Sequence, residues 1–205
     1  SSGDAASAAA GTAFGLFVAD GSSTHTLSIT NSGNDTLTVS DSSVSSPFSV
    51  NNMPTTVAVG ATETFDVIFD HSSAGTFSSA LVITNDSSTT EYVINLSGSA
   101  YSLDVNNGPY AGGNSITITN GTLGNGTDIT SVTVGGVSAT ITGQTASSVT
   151  ITLPSVGSAG AKDIVITSTS EGTTTLTGAY TVNPAGSVTG TTANAFVANG
   201  DFSLG

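Results

Sequence analysis

Short runs of apolar residues that alternate with hydroxyl residues recur along the chain, and a turn signal follows each run. In THTLSIT, Leu27 and Ile29 alternate with Ser and Thr, and NSGND then turns the chain. In ETFDVIFD, Phe65, Val67 and Phe69 share one face of an extended segment. Because the side chains of a strand point alternately to opposite faces, a period of two predicts strands that bury one face.

Residues 12–99 contain seven such runs at intervals of about 8–14 residues, a spacing typical of a β-sandwich. The runs are TAFGLFV, THTLSIT, TLTVS, PFSV, ETFDVIFD, TFSSALVIT and EYVINLSG. Aromatic side chains are expected to fill one shared core, namely Phe14, Phe17, Phe48, Phe65, Phe69, Phe77 and Tyr92. The predicted fold class is all-β, because β-branched and aromatic residues dominate the apolar positions.

The composition excludes several partners. Asp and Glu number 14 against one basic residue, Lys162, so the formal net charge is −13. This balance repels phosphate backbones and anionic membrane surfaces, and we expect no nucleic-acid partner. No run of about 18 apolar residues is present, so membrane insertion is not expected. Cysteine is absent, which excludes disulfides and thiolate metal sites.

The runs of the first hundred residues carry a family resemblance. Their order, from FG through GSSTHTLSITNSGNDTLTVS and VAVGATETFDVIFD to AGTFSSALVITND and YVINLSG, resembles the ASPM/SPD-2/Hydin family of immunoglobulin-like domains. Bacteria use relatives of this family repeatedly in long secreted surface proteins, so the resemblance implies an extracellular or cell-surface location in a bacterium. His71 departs from the family, which usually has proline after FD, and a local effect on one turn is expected.

The second half of the chain resembles a different family. Residues 100–184 contain no Phe, so their core must come from Ile, Val and Leu together with Tyr101, Tyr110 and Tyr180. The segment resembles an IPT/TIG domain, another immunoglobulin-like sandwich, through Gly112-Gly113, Gly124 and the runs VTVGGVSATI and DIVITSTSEG. The paired glycines permit positive φ and tight turns. Some members of that family bind DNA through basic loops, which have no counterpart here.

These observations predict two tandem immunoglobulin-like β-sandwiches with a C-terminal extra strand. The predicted divisions are a leader or linker (1–11), an ASPM/SPD-2/Hydin-like sandwich (12–99), an IPT/TIG-like sandwich (100–184), and a linker with the C-terminal strand (185–205). SSGDAASAAAG, at the start, is interpreted as a mature N-terminus or as a linker cut from a longer precursor.

No combination of residues points to catalysis. Only His25 and His71 could serve as imidazole bases for a nucleophile, and both are interpreted as ordinary surface or rim residues. No G-x-S-x-G elbow is present. Asp66 and Asp70, four apart on one strand, are candidates for glycosidase chemistry, but a solvated face is the simpler interpretation, and no Trp accompanies them. We therefore predict no enzyme activity and no catalytic residue.

Metal and cofactor sites are not predicted either. Loops of Asp and Asn suit Ca²⁺, and the candidates are DVNNG (104–108) and NGD (199–201), but neither has EF-hand spacing. N-x-[ST] sequons occur at Asn34, Asn85, Asn95, Asn120 and Asn125. A chain in which about a third of residues are Ser or Thr contains about this number by chance, so glycosylation and glycan partners stay open.

The stretch NAFVANGDFSLG (194–205) is the most informative for function. Phe196, Ala198, Phe202 and Leu204 lie at alternate positions, and Val197 belongs to the other, mostly polar set. Each Phe or Leu contributes about 1.5–3 kcal/mol when buried. A lone strand of this pattern is therefore stabilised by adding to a sheet edge with its apolar face over a core. These five residues form the predicted assembly strand.

Three placements of this strand are considered. It packs on its own IPT/TIG-like domain, it begins a further domain, or it completes a sandwich in a neighbouring copy and so builds a head-to-tail filament. The third is favoured. Residues 190–200 match residues 11–21 at six of eleven positions, including Phe-Val-Ala, which hints that the tail occupies a slot like that of the first strand.

The function predicted from the sequence is a structural subunit of an extracellular filament or surface assembly. Identical subunits would be joined head to tail by β-strand addition of the C-terminal tail. The alternative is an adhesin or glycan-binding stalk segment of a larger secreted protein. A third class, the accessory region of a secreted enzyme, would leave the catalytic domain outside this sequence.

Overall fold

A computed structural model describes Ser7 and residues 9–186, which are built from strands and turns. The chain divides into two compact units, Ser1–Ser102 and Leu103–Gly205. The described residues contain no helix that could cross a membrane. The prediction of an all-β chain with immunoglobulin-like sandwiches is confirmed. The predicted C-terminal strand lies outside the described residues.

The first unit contains the seven predicted strands and one short addition, β5. The strands are β1 (Ala13–Val18), β2 (Ser22–Thr30), β3 (Leu37–Ser43), β4 (Phe48–Asn51), β5 (Thr56–Val57), β6 (Thr62–Asp70), β7 (Gly75–Asn85) and β8 (Glu91–Leu103). One sheet has the order β1-β8-β7-β3-β5, in which β1 runs parallel to β8, and the other has the order β2-β6-β4. The two sheets enclose one core.

The core of the first unit is aromatic, as the sequence indicates. Phe65, Val67 and Phe69 of the central strand β6 are at most 1% exposed, and the Phe48 ring stacks on Phe69 with 5.0 Å between ring centroids. Tyr92 was expected in this core, but 40% of its surface is exposed. It lies near the start of β8, where the fully buried part of the strand has not yet begun.

The second unit repeats this architecture. Its strands are β9 (Asn107–Gly108), β10 (Ser115–Thr119), β11 (Ile129–Val134), β12 (Val137–Ser138), β13 (Thr140–Gln144), β14 (Ser148–Thr152), β15 (Gly160–Ser168) and β16 (Gly172–Val182). One sheet has the order β12-β11-β15-β16-β9, with β9 parallel to β16, and β10, β14 and β13 lie side by side in the other. The strand order matches the first unit, although the chain here forms the short edge strand β12 before β13.

The core of the second unit is aliphatic with one buried tyrosine. Ile116, Ile118, Ile151 and Ile164 are fully buried, and Tyr180 is 2% exposed. Burial raises the pKa of the Tyr180 hydroxyl. The core therefore follows the Phe-free composition of this half of the chain.

Two expectations about particular residues of this half have different outcomes. Tyr101 was assigned to the second core, but it pairs with Val18 of β1, and the Ala19 amide donates to its carbonyl at 2.7 Å. It therefore belongs to the first unit. Gly112 and Gly113 have φ of 71° and 86°, so the positive φ expected of the glycine pair is present. A Cβ on Gly112 would lie 2.5 Å from the Pro154 carbonyl.

The single basic side chain of the sequence lies in this unit. Lys162 is half-buried on β15, where it pairs with Tyr180 of β16. Its ammonium group donates to the Ser158 hydroxyl at 2.8 Å and to the Ala159 carbonyl at 3.3 Å. Both partners are neutral, so Lys162 interacts with the dipoles of a hydroxyl and a carbonyl group at these two contacts.

Candidate functional site

The predicted assembly strand lies outside the described residues. Its members are Phe196, Val197, Ala198, Phe202 and Leu204, and the calcium candidate NGD at 199–201 lies outside as well. The assembly strand stays a prediction, and the structure contributes instead the sheet edges that such a strand could join.

The longest edge strand of the described residues is β2, which has nine residues and pairs only with β6 in its sheet. The His71 amide donates to the Gly21 carbonyl, and the Asn31 amide donates to the Ala61 carbonyl. Since hydrogen-bonded pairs alternate along an antiparallel ladder, the odd-numbered residues of β2 bond to β6. The backbone groups of Thr24, Thr26 and Ser28 consequently point to the outer edge.

The inward side chains of β2 are incompletely covered. His25, Leu27 and Ile29 are half-buried, whereas the inward residues of the neighbouring β6 are at most 1% exposed. In the second unit, β10 is followed in its sheet by β14 and β13, as β2 is by β6 and β4 in the first, but β10 also has a hydrogen-bonded neighbour on its other side, and its inward Ile116 and Ile118 are fully buried. Among the described residues, the inward side chains of β2 are thus less covered than those of β10.

The cover of β10 includes a backbone contact. The Asp104 amide donates to the Thr117 carbonyl at 3.1 Å, and the Thr117 amide donates to the Asp104 carboxylate at 2.8 Å. The residue Asp104, considered as a calcium ligand from its DVNNG context, therefore caps β10, which is not an edge strand of its sheet. Among the described residues no cluster of three or more His, Asp or Glu side chains could hold a metal ion.

Two adjoining depressions follow β2 on the first unit. One has a volume of about 510 Å³ and is lined in part by Ile29, Leu37, Phe65 and Ile83. The other has a volume of about 540 Å³ and extends along β2 past Leu27. They share Ser28, Tyr92 and Ile94 as lining residues. We call them together the β2 groove.

The lining of the β2 groove is electrically neutral. Its described residues include no Asp, Glu, Lys, Arg or His, although the chain carries 14 carboxylates. An added segment with few charges would meet no charge repulsion within the groove.

Two histidines hold β1, which belongs to one sheet of the first unit, against the other sheet. The His25 ring stacks on Phe14 with 4.1 Å between ring centroids, and its Nδ1 bonds to the Gly11 carbonyl at 2.7 Å. The His71 ring stacks on Phe17 at 4.5 Å, and its Nδ1 bonds to the Val18 carbonyl at 2.8 Å. A carbonyl oxygen only accepts, so Nδ1 donates in both rings.

The interpretation of both histidines as ordinary surface or rim residues is wrong for His71. Its side chain is 6% exposed, and its Nε2 is 3.1 Å from the Ser23 hydroxyl, which donates because Nδ1 already carries the proton. With both ring nitrogens engaged, His71 holds β1 in position. The sequence signal was the departure from proline after FD, whose effect extends beyond one turn.

The candidate carboxylate pair is occupied by local hydrogen bonds. Asp66 accepts from the Thr26 hydroxyl at 2.7 Å and from the Asn52 amide group at 2.9 Å. Asp70 accepts from the Ser72 amide at 2.9 Å, and this bond lowers the pKa of the Asp70 carboxyl. Both carboxylates therefore stabilise turns and the solvent face of the sheet.

A further carboxylate anchor is Asp128 in the second unit, which the sequence did not single out. Its carboxylate accepts from the Asn125 amide at 2.7 Å, from the Ser170 amide at 2.8 Å and from the Thr169 hydroxyl at 3.0 Å. These bonds, led by that of Asn125, hold the pKa of Asp128 well below its ordinary value. Gly124 leaves the space for the carboxylate, since a Cβ there would clash with Oδ1 of Asp128.

One family model matches the chain. Residues 12–99 match the HYDIN/CFA65/VesB-like immunoglobulin-like domain, which confirms the resemblance inferred for this range. The resemblance of residues 100–184 to IPT/TIG domains stays a prediction. No curated protein matches the chain.

The solved structures that match the chain have low sequence identity to it and low TM-scores. The secreted serine protease VesC from Vibrio cholerae is 15% identical over 71% of this chain and 46% of its own, with a TM-score of 0.34. SGBP-B of the Bacteroides ovatus mixed-linkage glucan utilization locus is 16% identical over 69% of this chain and 41% of its own, with a TM-score of 0.30. The Pseudomonas aeruginosa CupB2 chaperone is 11% identical over 83% of this chain and 98% of its own, with a TM-score of 0.31. The chain thus spans less than half of VesC and of SGBP-B.

Proposed function

We propose that the chain is a structural subunit of an extracellular filament or surface assembly of a bacterium, in which the tail of one subunit adds as a strand to the next. The observation that carries the proposal is the alternation in residues 194–204, which gives an extended segment one apolar face. Such a segment is stabilised at a sheet edge over an incompletely covered core.

Features of the described residues support this role. Both units are immunoglobulin-like sandwiches held by core packing and by turns, and their described carboxylates at Asp66, Asp70, Asp104 and Asp128 accept hydrogen bonds within the fold. A subunit with a mechanical role needs a stable body and a means of joining copies. The edge strand β2 of the first unit offers the joining position.

The proposal is tested by comparing the full chain with a variant that lacks residues 190–205. Analytical ultracentrifugation and negative-stain electron microscopy are expected to detect filaments or concentration-dependent oligomers of the full chain and monomers of the shortened chain. As a matched control, Phe196→Ser with Phe202→Ser should prevent assembly, whereas Asn199→Ser with Asp201→Ser, on the other face of the segment, should not.

Filaments of the shortened chain would rule out strand donation by the tail. A full chain that stays monomeric and binds immobilised glycans would favour the alternative role as an adhesin or glycan-binding stalk segment.

A further inference from the structure

We propose that the β2 groove of the first sandwich is the acceptor for residues 194–204 of a second copy, which add alongside β2 as a fourth strand of the β2-β6-β4 sheet. This inference rests on the proposed function and names the site at which one subunit receives the tail of the next.

The backbone of β2 is suited to accept a strand. Thr24, Thr26 and Ser28 direct their amide and carbonyl groups to the outer edge, because the odd-numbered residues bond to β6. At about 3.3 Å per residue, the nine residues of β2 span about 30 Å and an eleven-residue tail segment about 36 Å. The tail segment is therefore long enough to pair along the whole of β2.

The side chains of the tail complement the groove. An added strand would direct Phe196, Phe202 and Leu204 inward, where Leu27 and Ile29 are half-buried. Tyr92, which shares the groove lining, is 40% exposed and would gain cover. Bulky apolar residues at alternate positions suit two depressions of about 510 and 540 Å³ better than a polar or small-residue segment would.

The tail segment and the β2 groove are also compatible in charge, because both are nearly neutral. Residues 190–205 carry a single side-chain charge, that of Asp201, and this residue belongs to the set opposite the apolar face. The described lining of the β2 groove carries none. Two copies that each have a net charge of −13 repel one another, so a neutral groove and a nearly neutral strand are the favourable surfaces to join.

The second unit shows why the first is the acceptor. Its strand β10 has hydrogen-bonded neighbours on both sides in its sheet and fully buried inward side chains, so it offers neither a free edge nor apolar surface to cover. The opposite edge of the β2-β6-β4 sheet is β4, which has only four residues and whose Phe48 is 3% exposed. Of these edges, β2 combines length with uncovered apolar side chains.

Disulfide trapping tests the site directly, because the chain has no cysteine of its own. Ser22→Cys, Thr26→Cys and Thr30→Cys are each combined with Ser203→Cys in the full chain and oxidised under assembly conditions. All of these positions belong to the polar face of their strands, so an added tail would bring one β2 position beside residue 203. Ser49→Cys with Ser203→Cys, on the exposed face of the other edge strand β4, is the matched control.

The expected result is covalent dimers and higher oligomers on non-reducing gels for at least one β2 position, with none for the Ser49→Cys control. Equal trapping in the control, or no trapping at any β2 position while the chain assembles, would overturn the acceptor site and leave the proposed function standing. Trapping within a monomer would show that the tail binds its own chain. If deletion of residues 190–205 leaves assembly intact, the proposed function fails with it.

Discussion

His71 illustrates how one residue can hold a strand in place. Its ring stacks on Phe17, and its two nitrogens bond to the Val18 carbonyl and the Ser23 hydroxyl. These contacts join β1, which belongs to one sheet, to β2, which belongs to the other. A proline at this position would provide neither bond.

Replacing His71 with Phe should retain the stacking and remove both hydrogen bonds. The Val18 carbonyl and the Ser23 hydroxyl would lose their partner, and a buried unsatisfied group costs about 1–3 kcal/mol. We therefore expect His71→Phe to lower the free energy of unfolding by about 1–3 kcal/mol in urea titrations. Ser23→Ala, which removes only the Nε2 partner, should have a smaller effect. Equal stability of His71→Phe and the wild type would show that the hydrogen bonds of His71 do not stabilise the fold.

Asp128 should make the stability of the second unit depend on acid. Its folded-state pKa lies below the ordinary value because the carboxylate accepts bonds from Asn125, Ser170 and Thr169. A depressed pKa stabilises the fold above the unfolded pKa, and this stabilisation is lost as pH falls toward the folded pKa. The wild type should therefore be more stable than Asp128→Asn at neutral pH, with a difference that shrinks below about pH 4. Urea titrations of both proteins at neutral and acidic pH measure it, and a difference independent of pH would contradict the assignment.

At the scale of strands, alternation predicted much of the fold. The seven runs of residues 12–99 all form strands, and Phe65, Val67 and Phe69 face the core as their spacing indicates. The alternation does not predict the two-residue strands β5 and β9, because two residues are too few to show a period. The assignment of Tyr101 failed because its pairing with β1 depends on a contact distant in sequence.

The sequence could not identify the candidate acceptor edge. THTLSIT in β2 and SITIT in β10 have similar alternating patterns, yet only the second has fully buried inward residues. The difference arises from what lies beside each strand, such as the cap by Asp104. Local alternation indicates which face of a strand is buried. It does not indicate which strands or residues lie beside that strand in the sheet. Similarly, the role of His71 depends on Val18 and Ser23, which are distant in sequence.

The edge of β2 yields a prediction for assembly. Ser28→Pro removes an amide that points away from β6, so the existing ladder keeps its bonds. If a tail strand pairs there, the loss of about one hydrogen bond, 0.5–1.5 kcal/mol, should raise the critical concentration for assembly about 2- to 10-fold. Light scattering against protein concentration measures the effect. Ser28→Ala, which keeps the amide, should assemble like the wild type, and unchanged assembly of Ser28→Pro would argue against pairing at this edge.

At the scale of the whole molecule, two sandwiches with the same strand order have cores of different chemistry. The first is built around Phe65 and Phe69, and the second around aliphatic residues such as Ile116 and Ile151. The order of strands is therefore set by the alternation and the turns of each unit, and either kind of side chain can fill the space between the sheets.

The net charge should make assembly depend on salt. With 14 carboxylates and one lysine per chain, like copies repel, and this repulsion is screened over about 30 Å at 10 mM salt and about 8 Å at 150 mM. We expect faster and more extensive assembly at the higher ionic strength, followed by light scattering. The chain without residues 190–205 should remain unassembled at both. Assembly that weakens as salt is added would indicate that ion pairs join the subunits.

The position of Lys162 has a further consequence for a protein exposed to digestive enzymes. Proteases of trypsin-like specificity cleave after lysine or arginine, and this chain offers them one peptide bond. That bond lies within β15, whose neighbours in the sheet are β11 and β16, and the lysine side chain is tied to Ser158 and Ala159. Cleavage needs an extended segment free to enter the protease, so the folded chain should resist such enzymes until the second sandwich opens. The rate of cleavage after Lys162 would therefore report how often the second sandwich opens.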